Sequence, residues 1–75
     1  MKDLILNSFG AHADYIYNNI ESKKRKKEFL NMTMEIIGYL KGMNPPPFKK
    51  NLNKDQQLAV DTFNNVRLTI NKRFN

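Results

Sequence analysis

The sequence predicts an all-α protein, a small three-helix bundle with a proline-rich connection before the last helix. Three observations predict it. Apolar residues recur at helical spacing in three separate stretches, no stretch alternates as a half-buried strand would, and one break, Pro45-Pro46-Pro47, dominates the punctuation. Seventy-five residues with 40% apolar content can close one modest core, so residues 1–75 are expected to form a single helical domain.

The first helix is expected over roughly 3–20. Ile5, Phe9, Ala13, Ile16 and Ile20 recur on one stripe, and Leu6 and Tyr17 widen it. Asp3 is suited to cap it. Gly10 sits mid-helix at a cost of about 1 kcal/mol relative to Ala, which leaves room for a separate short element ahead of it.

Residues 21–28 contain no apolar side chain, which argues against one continuous buried helix through them. The second helix is therefore expected over 22–43. Ser22 is its N-cap, and Phe29, Thr33, Ile36, Ile37, Leu40 and Met43 share one face, flanked by Leu30, Met32 and Tyr39. The competing reading carries helix straight through the basic run as a projecting rod. Gly42 suits a left-handed cap, and Asn44, before a proline, is pushed out of the α region.

Pro45-Pro46-Pro47-Phe48 is expected to run extended as a stiff spacer, with Phe48 anchoring it to the core. It does not satisfy PxxP. Asn53 followed by Gln56 reads as a capping box opening a third helix over 54–74, with Asp55 in the first turn and Lys72 and Arg73 in the last, where each charge suits the helix dipole. Its stripe is Ala59, Phe63, Val66, Ile70 and Phe74, with Val60 beside it. The expected core is Ile5, Phe9, Ile16, Ile20, Phe29, Ile36, Ile37, Leu40, Phe63, Val66 and Ile70.

Composition excludes much chemistry. With no cysteine, disulfide scaffolds, thiolate metal sites and cysteine nucleophiles are ruled out, and a cytoplasmic location is the default. The longest apolar run near the amino end is Leu4-Ile5-Leu6, too short for a secretory signal, and no stretch approaches a membrane span. His12 stands alone, without the spacing of a metal pair or the partner of a catalytic dyad, and no glycine-rich phosphate loop is present. The expectation is a non-enzyme with no cofactor and no metal.

The net charge of +6 is local. Residues 22–50 carry eight bases and two acids, whereas residues 1–21 carry one base and three acids. Lys23, Lys24, Arg25, Lys26 and Lys27 are consecutive at the start of a helix, where positive charge opposes the dipole, so helix stability does not select them. Together with Lys49 and Lys50 they are candidates for contacting an acidic protein surface or a phosphate backbone, set against a plain solvated junction. Sequence-specific duplex reading is disfavoured. The connection at 44–53 is too long for a helix-turn-helix, and Asn64, Asn65, Arg67 and Asn71 suit an ordinary polar face among eleven asparagines.

Tyr15, Tyr17, Met32, Met34, Tyr39 and Leu68 exceed what three narrow stripes can hold, so some of them are expected on the surface as a protein interface. Gly38 and Gly42, four apart, would also let another backbone approach. These features point to a small regulatory or inhibitory protein that covers a partner with an acidic surface. The alternatives are a nonspecific nucleic-acid-binding protein and a structural homodimer. The Lys, Asn and Ile content suits an AT-rich genome and hence a bacterial or phage accessory protein.

Overall fold

The structure, a computed structural model, describes residues 2–48 and 51–74, the side chain of residue 74 excepted. Three helices, α1 (Lys2–Asn19), α2 (Lys23–Leu40) and α3 (Lys54–Phe74), form a bundle 38 × 25 × 19 Å across. The all-α expectation holds, and each helix lies close to its expected span.

Helix α1 runs unbroken through Gly10, so no separate element precedes that glycine. Asp3 lies inside the first turn rather than at the cap. Ile20 ends the helix by donating its N–H to the Tyr17 carbonyl (3.2 Å) and burying its side chain in the core. The chain then leaves helix over residues 20–22, which removes the projecting-rod reading. Ser22 restarts helix as expected, its hydroxyl accepting the Arg25 N–H at 3.3 Å.

Helix α2 stops at Leu40, three residues earlier than the spacing of apolar residues suggests. The Gly42 N–H donates to the Tyr39 carbonyl and the Met43 N–H to the Gly38 carbonyl, with Gly42 at φ +77°. That pair of bonds is a Schellman cap, which only a residue tolerant of the left-handed region completes without strain. Met43, expected on the core face, is 76% exposed. In such a cap this residue usually packs on the side chain five positions back, and here that position is Gly38. The open side of Gly38 is filled by Asn44 instead. A Cβ on Gly38 would come within 2.9 Å of Asn44 Cγ, so the two-glycine spacing serves the chain's own cap rather than a second backbone.

Two sets of contacts fix the direction of α3. Arg25 meets Asp55 near the start of both helices, and the Tyr39 and Phe63 rings meet further along both, at 6.5 Å. Helices α2 and α3 therefore run the same way. Lys26 lies over Tyr17, and Phe9 shares Phe63 with Tyr39, so α1 runs against both. The proline segment consequently belongs to a return connection that travels back along the bundle. Pro47 is buried, and the Phe48 ring stacks on Phe63 (5.8 Å, 17° between planes) and meets Tyr39 edge-on, which bears out Phe48 as the anchor.

The capping box of α3 is complete. The Gln56 N–H donates to Asn53 Oδ1 at 2.8 Å, and the Asn53 N–H donates to Gln56 Oε1 at 2.9 Å. Phe9, Phe29, Met32 and Ile36 are the largest fully buried side chains, and Ala13, Ala59 and Val60 fill in around them. Ile16 and Ile37, expected in the core, are partly buried against it. Thr33 is buried without penalty because its hydroxyl donates to the Phe29 carbonyl at 2.9 Å. Phe74, expected on the α3 stripe, has its side chain outside the described residues.

Candidate functional site

The five consecutive cations divide by the faces of one helix. Arg25 points toward α3, where its Nη2 lies 3.0 Å from Asp55 Oδ1 and its Nε donates to both carboxylate oxygens. Lys26 points toward α1 and places its Nζ 4.6 Å from the centre of the Tyr17 ring, a cation–π contact. Neither is a spare charge: one ties α2 to α3, the other ties α2 to α1. Lys23, Lys24 and Lys27 are exposed, with no carboxylate among the described residues at ion-pair distance. Lys49 and Lys50 lie outside the described residues.

The predicted interface residues separate in the same way. Met32 is a correction: it is 2% exposed and sits in the core, because α2 packs against α1 on one side and α3 on the other and so buries a wider face than a single stripe. Tyr39 is half-buried between Phe48 and Phe63. Tyr15 and Leu68 are exposed on α1 and α3, with neither bordering the groove described next. Tyr17 and Met34 do come together.

They line a groove between α1 and α2 with a volume of about 270 Å³. Ala13, Phe29 and Thr33 contribute its buried lining. Tyr17, Leu30, Met34 and Ile37 contribute apolar groups that are partly or largely open to water, Met34 being 57% exposed. On α2, Lys23, Lys27, Leu30 and Met34 follow the i, i+4, i+7, i+11 spacing of one helical stripe. The groove wall thus continues directly into two of the unpaired lysines. Leu30 and Gly10 were not singled out as interface residues; the signal that could have found Leu30 is that same stripe, extended backward into the basic run.

Two further hollows are larger and less directed. One, of about 470 Å³ between α1 and α3, brings Ser8 and His12 together with Thr62, Asn65 and Thr69, and no carboxylate lines it. Thr62 already donates its hydroxyl to the Leu58 carbonyl. The other, of about 460 Å³, lies beside Arg25, Lys54, Gln57 and Asp61, where Gln57 donates to Asp61 at 2.9 Å. Among the described residues no three metal-ligating side chains gather, and no helix is long and apolar enough to cross a membrane.

The fold and this surface define the class no further than a small helical bundle with an apolar groove running into exposed lysines. No protein-family model, curated protein or solved structure matches the chain.

Proposed function

We propose that this is a small non-enzymatic regulatory or inhibitory protein that acts by binding a partner protein and covering an acidic surface on it. One observation carries the reading: exposed Leu30 and Met34 on α2 are continuous with Lys23 and Lys27, so apolar and cationic groups share one face. Apolar groups at the centre with charge at the margin is the arrangement that gives a protein interface both affinity and orientation. A surface serving only a phosphate backbone needs the cations but gains nothing from unburied methionine and leucine beside them. The cytoplasm, where such a cysteine-free chain would work, and a bacterial or phage accessory role fit this reading.

The test is affinity capture of the tagged chain from a lysate of its host, with and without nuclease, run beside a Lys23→Glu/Lys27→Glu variant and a Met34→Glu variant. One stoichiometric protein retained after nuclease and lost with either variant is the expected result. Loss of every partner on nuclease treatment assigns the lysines to nucleic acid and overturns the reading. Recovery of the untagged chain alone assigns the face to a homodimer.

A further inference from the structure

Nothing among the described residues explains Gly10. It lies in the middle of α1, its φ is not positive, and a Cβ built on it meets nothing within 4 Å. Neither backbone geometry nor close packing within the bundle requires glycine there, and in a helix interior any ordinary residue would hold the helix better. What Gly10 does is lower the α1 wall of the groove opposite Leu30, Met34 and Ile37. At about 270 Å³ the groove falls below the usual range of small-molecule pockets. It has room for one or two large side chains delivered by a larger body.

Charge says which body. The α2 edge of the groove continues into Lys23 and Lys27, and Lys26 holds Tyr17 in place at the same end. The α1 edge carries one acid, Asp14. An amphipathic helix fits both features, since residues three and four apart present apolar anchors on one face and place flanking carboxylates along its edge. Resting on the proposed reading of this face and deepening it, we infer that the α1–α2 groove receives an acidic amphipathic helix. One large apolar side chain of that helix seats over Gly10, and its carboxylates lie along the α2 edge against Lys23 and Lys27. Asp14 repels carboxylates from the other edge and so sets which way round the helix lies.

The probes are three synthetic peptides of about 18 residues, long enough for about five helical turns. They share one leucine- and phenylalanine-bearing apolar face and differ in polar residues, which are glutamate, glutamine or lysine. Each is titrated into the full chain and followed by amide NMR shifts and fluorescence anisotropy. The glutamate peptide is expected to bind tightest, with shifts concentrated at Gly10, Tyr17, Leu30 and Met34. Lys23→Gln/Lys27→Gln should weaken it roughly tenfold, about 1.4 kcal/mol, and Asp14→Asn should strengthen it. Gly10→Leu should abolish binding while leaving the thermal midpoint unchanged or higher, because its Cβ meets nothing within 4 Å and the rest of the side chain extends into the groove.

No saturable binding of the glutamate peptide, equal affinity for all three, shifts centred elsewhere, or undiminished binding by Gly10→Leu would each overturn the inference. Concentration-dependent shifts at the groove without peptide would overturn it in favour of a second copy of the chain. Its failure is separable from that of the broader reading. A captured partner that depends on Lys23 and Lys27 but ignores Gly10→Leu leaves the broader reading standing and removes the helix.

Discussion

Arg25 and Asp55, thirty residues apart in sequence, form a forked ion pair that joins the first turns of two helices running the same way. The partners are unequal in their access to water: the Arg25 side chain is 52% exposed and that of Asp55 10%. Removing either therefore has a different cost. Arg25→Gln strands a buried carboxylate and is expected to cost about 2 kcal/mol, less than for a fully buried pair because water reaches the arginine side. Asp55→Asn leaves a guanidinium that water can solvate and should cost about 1 kcal/mol. Urea denaturation of both variants checks the order, and equal costs would contradict the asymmetry.

Asn53 makes both bonds of the α3 capping box and also donates its side-chain amide to Glu28 at 3.2 Å. Asn53→Ala removes the side-chain acceptor and that link to α2. A loss of about 1 kcal/mol is expected by chemical denaturation, with faster amide exchange confined to the first turn of α3.

Two glycines should respond to alanine with opposite signs. Gly10→Ala places a methyl in open space and restores helix propensity, so stability should rise by about 0.5–1 kcal/mol. Gly42→Ala forces a Cβ into the left-handed region at φ +77° and should lower stability by about 1 kcal/mol. Thermal melts of the two variants against the parent read both signs directly.

Phe29 is fully buried. Phe29→Ala opens a cavity where α2 packs into the core, at an expected cost of about 3–5 kcal/mol. A bundle this small has only about that much stability, so the variant should be largely unfolded at 37 °C by circular dichroism.

Phe48 holds the return connection through ring contacts rather than through hydrogen bonds. Phe48→Ala should cost about 1 kcal/mol and loosen the connection locally. Amide exchange at residues 41–44, whose N–H groups close the end of α2, should accelerate while the α1–α2 interface keeps its protection.

What could be read from the sequence was whatever depends on neighbours in the chain. Ser22, Asn53 with Gln56, and Gly42 each announce a helix end through bonds to residues three to five positions away; the starts of α2 and α3 fall where expected, whereas α2 ends at Leu40 rather than residue 43, because Gly42 takes the position two past the last helical residue. Direction was not legible in this way. A connection from residue 41 to residue 53 is long enough to let α3 return antiparallel or run parallel, and the outcome depends on Arg25 finding Asp55 and Phe48 finding Phe63 across the bundle. Asp55 was read only as a complement to its helix dipole, because nothing local marks it as buried. Met32 was misplaced for a related reason: a stripe drawn for a helix with one neighbour is too narrow for α2, which has two. The lysine run stood out at once, yet its division into Arg25 facing α3, Lys26 facing α1 and three lysines facing water needed the helix to be placed.

The parallel run of α2 and α3, with α1 opposed to both, also brings the two ends of the described chain to the same pole of the bundle. Lys23, Lys24 and Lys27 occupy the opposite pole, along an axis whose full extent is 38 Å. A bead or sensor surface attached through either terminus therefore presents the lysines and the adjoining end of the groove outward. A donor and an acceptor dye, one on each terminus, would report by energy transfer whether the bundle remains closed without touching the face that meets a partner.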